Sequence, residues 1–299
     1  MDKKLVNIQI FLVLGIIIYF VPAQKTIKIY EKDGTILTAC VSEIDSMKFY
    51  TPSHEMAYIP AGTTPDGVYT INYDIEMSVH EVTFAEYRQY CEATNKTLPH
   101  SNPSAPSMII GEDEGMGQGS RPMINIDLYN IHKYCNWLSE QAGLEPAYTF
   151  ENFAWGELKG DPYDPEIAAP NLAGYRLPTD VEWMYAAIGG SNGEATTYAG
   201  SNNIDEVAWY NGNAGVTTFP IKEKKPNELG LYDMNGNVWE VTETRQPRGN
   251  ENRTDIYGGC YQSSAIDCEI WQVAPPRDLI DQYRISPQIG FRIVRTILE

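Results

Sequence analysis

The sequence predicts an α+β fold, loop-rich, with short helices early and irregular β structure late. Three observations predict it. Two Thr-x-x-Glu capping signals, Thr83/Glu86 and Thr179/Glu182, and an apolar stripe from about Asp127 to Gln141 mark three brief helices. With 24 Gly, 19 Pro and 20 Tyr among 299 residues, turns and strands are favoured over long helices. Beyond Gly189-Gly190 no long helical pattern returns, and short strands with Gly and Asn turns run to the C-terminus. The length allows one large domain or two small ones.

Residues 1–23 read as a signal peptide. Lys3 and Lys4 precede an apolar run from Leu5 to Val21, and Val21-Pro22-Ala23 places small residues before a cut ahead of Gln24. An uncleaved anchor is the alternative, since the run approaches the roughly 17–25 residues that span a bilayer. No Cys stands at the cut, which argues against a lipoprotein anchor. Either way the folded part is expected outside the cytoplasm: periplasmic, cell-surface or secreted. Residues 24–52 form a small β extension, with Thr26–Tyr30 alternating, Asp33-Gly34 turning, and Ile36-Leu37-Thr38 returning. Ser42–Phe49 is a further candidate strand, and Thr51-Pro52-Ser53 reads as a boundary.

The main domain is residues 53–299, opening on a strand from Met56 to a turn at Gly62. Thr83 caps the first helix, whose Phe84, Tyr87, Tyr90 and Cys91 share a face. Leu98 to Gly119, with Glu112-Asp113-Glu114, is a long surface loop. The second helix turns Ile131, Tyr134, Cys135 and Leu138 to one side and stops at Gly143. Residues 146–174 read as another insertion, and the third helix follows, with Trp183 and Ala186-Ala187 on its packing face. Cys91 and Cys135 are expected as small core residues.

A formal net charge of −18 repels phosphate backbones, so nucleic acid is not an expected partner; a membrane contact is expected only if the leader stays uncleaved. His54, His80, His100 and His132 are scattered, and the five Cys include no CxxC, so zinc has no support. No GxSxG and no nucleotide-binding loop occurs. The densest stretch is Asn227–Glu240. Its Asp233, Asn235 and Asn237 alternate around Gly236, which suits either a hairpin tipped by Asn-Gly or an oxygen cage for a hard cation. Val238 stands where an EF-hand loop needs Gly, so that class of calcium loop is excluded.

Four motifs occur in order: Tyr175-Arg176-Leu177-Pro178-Thr179-Asp180-Val181-Glu182-Trp183, Gly230 to Glu240, Gly258-Gly259, and Gly290-Phe291-Arg292. With Glu81-Val82-Thr83 and Cys135-Asn136-Trp137-Leu138 before them, they resemble the sulfatase-modifying-factor family, the formylglycine-generating-enzyme-like domains, over roughly residues 54–295. The resemblance implies a variant of the C-type-lectin-like fold. Active members convert a sulfatase Cys to formylglycine with molecular oxygen and copper held by two Cys thiolates. Here Cys268 matches the second thiol, Ser263 stands at the first, and Cys260 replaces the family's Ser after Gly-Gly. A hydroxyl is a poor Cu(I) ligand, so copper is not expected. On an extended chain Cys260, three residues from Ser263, points to the other face. Cys260 and Cys268 are left as an altered copper pair, a disulfide, or two buried thiols.

The resemblance also implies structural calcium, bound by the side chains of Asp233 and Glu240 and the carbonyls of Gly236 and Val238. The functional expectation is a non-catalytic or repurposed exported member that binds a protein or a glycan. The alternatives are a formylglycine-generating oxidase using Cys260 and Cys268, and a calcium-dependent lectin.

Overall fold

Helices begin where a side chain can satisfy the free N–H groups of the first turn. The computed structural model describes residues 17–21, 26–30, 36–40, 54–96, 119–151, 157–160, 165–248, 251–272 and 285–298. Thr83 and Thr179 each close a full capping box, and the helices Phe84–Ala93 and Asp180–Ile188 follow. The first buries Phe84, Tyr87, Tyr90 and Cys91, the face read from the sequence. Asp127 caps Leu128–Gln141, its Oδ1 accepting the Asn130 N–H at 2.8 Å. Ile131, Tyr134, Cys135 and Leu138 lie buried on that helix.

Strands are short and assembled from distant segments. Ile75–Ser78 sits between Met56–Ile59 and Val294–Thr296, antiparallel to both, so the first and last strands of the domain share a neighbour. Trp239–Arg248 pairs antiparallel with Glu251–Tyr257 and parallel with Ile289–Gly290. One core joins the first two helices to Val241, Ile256, Phe291 and Ile293. A second packs Trp183, Met184 and Ala186 against Ile59, Met77, Leu231 and Met234.

Two bidentate ion pairs are buried in this frame, Arg176–Glu182 and Arg292–Glu240, with every N–O contact at 2.6 Å. Trp183 Nε1 also donates to Glu240 at 2.7 Å, tying the third helix to the strand at Trp239.

The Asn-Gly hairpin is not what forms. Asn235-Gly236 pairs parallel with Ala208-Trp209, and the chain runs on into Trp239–Arg248. The Asn237 N–H goes to Trp209 O at 2.7 Å and the Gly236 N–H to Gly258 O at 2.8 Å. Gly236 has φ +75°, and a Cβ there would lie 2.2 Å from Trp209 O. Glycine serves a close backbone crossing here, where a local turn was expected.

Thr26–Tyr30 and Ile36–Cys40 pair as expected, and Ile17–Val21, from within the stretch read as a leader, adds a third strand. Residues 146–174 hold more structure than an insertion: Tyr148-Thr149 pairs with Glu157-Leu158, and Pro165–Ala168 is helical. Ser42–Phe49, Thr51–Ser53 and the loop with Glu112-Asp113-Glu114 lie outside the described residues. Among the described residues no helix is long and apolar enough to cross a membrane.

Candidate functional site at Cys260, Ser263 and Cys268

The strand Glu251–Tyr257 ends in Gly258-Gly259, both with positive φ, and the chain then folds into a turn closed by the Ser263 N–H on Cys260 O at 2.9 Å. A turn does not alternate its side chains as a strand does. Cys260 and Ser263 therefore share a face, contrary to the expectation from an extended chain. Ser263 Oγ accepts the Cys260 N–H at 3.0 Å and donates to Cys260 Sγ at 3.4 Å. A short 3-10 turn, Ile266–Cys268, follows, with Asp267 Oδ2 accepting from the Ser264 N–H at 3.1 Å and the Ser264 hydroxyl at 2.7 Å, and this returns Cys268 to the Gly-Gly segment. A Cβ on Gly259 would sit 2.5 Å from Cys268 Sγ, so only glycine allows that approach.

Both thiols are free and buried, so no disulfide joins Cys260 to Cys268. Cys260 is 2% exposed and Cys268 0%. Burial pushes both pKa values up, and at Cys268 the neighbouring Cys260 and Asp267 add to it. Neutral thiols away from solvent are weak nucleophiles. Cys91 and Cys135 are buried core residues, as expected, with burial pushing Cys91 to about 11.

The residues expected at calcium lie in one buried charged cluster, with unequal commitments. Both Glu240 oxygens receive Arg292, and one also receives Trp183. Asp233 Oδ2 accepts the Lys222 N–H at 2.8 Å, whereas its Oδ1 is buried without a partner. Burial raises the Asp233 pKa to about 6. The Val238 N–H donates to Glu81 Oε1 at 3.1 Å, and Gly236 contributes the backbone crossing described above. Among the described residues no three His, Cys, Asp or Glu side chains gather as a metal-holding group.

Sequence reasoning missed two members of this cluster. Glu81 is fully buried; burial and the charges of Asp233 and Glu240 raise its pKa, and it accepts the Asn237 amide at 2.7 Å. Arg292 is the counter-ion of Glu240 and also donates to Ser78 O and Tyr232 O. Each is the only charged residue in its motif, Glu81-Val82-Thr83 and Gly290-Phe291-Arg292, which is the signal that could have found them. The Asn side chains serve as braces: Asn235 bridges the Ala199 N–H and Cys268 O, and Asn237 bridges Phe219 to Glu81.

Residues 46–297 match the family model of the sulfatase-modifying factor enzyme 1-like domain. The chain belongs to that family. It is 33% identical over 237 residues to the chaperone protein LppX of Paenibacillus barcinonensis, covering 69% of this chain and 78% of that protein. To the formylglycine-generating enzyme of Mycobacterium tuberculosis it is 28% identical over 192 residues, 55% of this chain and 62% of the enzyme. Among solved structures, CarF superposes with a TM-score of 0.62 at 24% identity, over 83% of this chain and 100% of that one. The fold is thus the α+β, C-type-lectin-like variant of the sulfatase-modifying factor family.

Proposed function

We propose that this chain is a non-oxidising member of the sulfatase-modifying factor family that binds another protein outside the cytoplasm. The observation that carries this reading is the thiol site. The Ser263 hydroxyl stands where the resemblance calls for one of the two ligand thiols, and it is engaged with Cys260, while both thiols are closed off from solvent. Copper does not fit such a donor set, since Cu(I) is selected by soft thiolates. A protein ligand is favoured over a glycan because the 33% identical relative LppX is named a chaperone. The basic residues and apolar run of 1–23 support a location outside the cytoplasm.

The test incubates the purified chain with Cu(I), oxygen and a Cys-containing sulfatase peptide, with aldehyde capture read by mass spectrometry. No aldehyde is expected, and copper-dependent aldehyde overturns the reading. In parallel, light scattering of heated citrate synthase is expected to fall when the chain is present in molar excess. Unchanged scattering counts against protein binding.

Calcium belongs to this proposal at Asp233 and not at Glu240. The buried, partnerless Oδ1 of Asp233 suits a hard cation, whereas Glu240 is committed to Arg292 and Glu81 to Asn237 and Val238. Bound there, the ion would supply the partner that Asp233 Oδ1 lacks. Calcium is expected to raise the melting temperature of the wild type and to leave Asp233→Asn unmoved. Equal shifts in both proteins would remove the ion from Asp233.

A further inference from the structure

A cavity of about 60 Å³ opens on the surface just beyond the turn that carries Cys268, lined among others by Asp66, Ile188, Glu194, Ala195, Ile270 and Trp271. Its lining is mostly apolar and includes two exposed carboxylates, Asp66 and Glu194. Ile270 is held by its N–H on Thr197 O at 3.2 Å. Trp271, 47% exposed, stacks on Tyr69 with centroids 6.1 Å apart and planes 28° apart. Asp66 is fixed by a turn: its Oδ1 accepts Thr64 Oγ1 at 2.5 Å and the Val68 N–H at 3.0 Å. Those two bonds hold its carboxylate below the ordinary pKa, so it is charged at neutral pH. No Lys, Arg or His is among the lining residues, and the whole chain carries −18.

Size narrows the occupant. At roughly 10–15 Å³ of such space per water, the cavity takes about four to six heavy atoms. The outer part of a lysine, three methylenes and an ammonium, is of that size, and a sugar ring is too large. Lysine also matches the chemistry: its stem lies along apolar surface, its head pairs with carboxylates, and an ammonium is attracted to an indole face.

We infer that this cavity receives a lysine side chain of the partner protein, with Ile188 and Ile270 against the stem and Asp66, Glu194 and Trp271 around the ammonium. The inference rests on the protein-binding reading above.

The test titrates the full chain with the tripeptide acetyl-Gly-Lys-Gly-amide and follows the Trp271 indole N–H by NMR, assigned with Trp271→Phe. A saturable shift is expected. It should weaken at least tenfold with Nε-acetyl-lysine or norleucine in place of lysine, and likewise in Asp66→Asn/Glu194→Gln. Both substituted residues are exposed, so an unchanged melting temperature certifies the variant's fold. No shift, equal binding of the norleucine peptide, or binding unaffected by the double variant overturns the inference, as does a response to glucose oligomers in place of lysine. Should the tripeptide fail while citrate synthase is still protected, only the lysine site falls. Should aldehyde form from the sulfatase peptide while the lysine response persists, the non-oxidising reading falls and the cavity keeps its assignment.

Discussion

Glu86 shows how one side chain can serve as cap and clasp together. Its Oε2 accepts the Thr83 N–H at 2.7 Å, and its Oε1 lies 3.0 Å from His54 Nδ1, pinning the start of the domain to the first helix. Burial alone would raise its pKa, but His54 and the Thr83 bonds outweigh that and hold it at about 2. Its folded pKa lies below the ordinary 4.5, so its stabilisation is complete above that value and is lost as pH falls toward 2. At about 1.4 kcal/mol per pH unit this is on the order of 3 kcal/mol. Urea unfolding between pH 7 and pH 3 is expected to show wild type losing stability more steeply than Glu86→Gln, which keeps the cap and removes the charge. Parallel curves would contradict this. At this scale Thr83, Glu86 and the Ser263 replacement were legible, because each is local in sequence. The side-by-side placement of Cys260 and Ser263 was not, because it depends on a turn that begins only after two glycines with positive φ.

Among elements, the buried ion pairs do what long strands do in other folds. Arg292 joins the last strand region to Glu240 and to the carbonyls of Ser78 and Tyr232, and Arg176 joins the Leu177 segment to the helix at Glu182. Removing one partner strands the other charge at nearly complete burial. Arg292→Met is therefore expected to cost about 3–5 kcal/mol in denaturant unfolding, and adding Glu240→Gln should recover part of that loss. Strict additivity of the two would argue against the pair acting as a unit. Thr179→Ala is expected to cost about 0.5–2 kcal/mol through the cap alone, read from the same midpoint shift. Helices were legible because cap and stripe lie within a few turns. The Asn235-Gly236 ladder was not, because its partner Ala208-Trp209 lies far upstream and two residues carry no period. Local turn chemistry pointed to a hairpin, and a long-range pairing took the same residues.

For the molecule as a whole, closure comes from Ile75–Ser78 holding the first and last strands of the domain, with Arg176 and Val294 bridged across by 2.9 Å bonds in both directions. A chain truncated after Phe291 loses Val294–Thr296 and the Arg292 clamp together. It is expected to lose cooperative thermal unfolding by calorimetry; a retained sharp transition would show the closure to be dispensable. The family was legible because its motifs are the residues that make these long-range joints: Arg176 and Glu182, Glu240, the Gly-Gly turn, and Arg292. The lysine-sized cavity was not, because Asp66, Glu194 and Trp271 meet only through the folded loops.

The proposed non-oxidising reading requires that Cys260, Ser263 and Cys268 hold no copper. Cu(I) titrated into the reduced chain against a chromophoric Cu(I) chelator tests it most directly. The chelator is expected to keep the metal, with no difference between wild type, Cys260→Ser and Cys268→Ser. Uptake of one Cu(I) per chain, abolished by either substitution, would restore the copper pair and with it the oxidase reading.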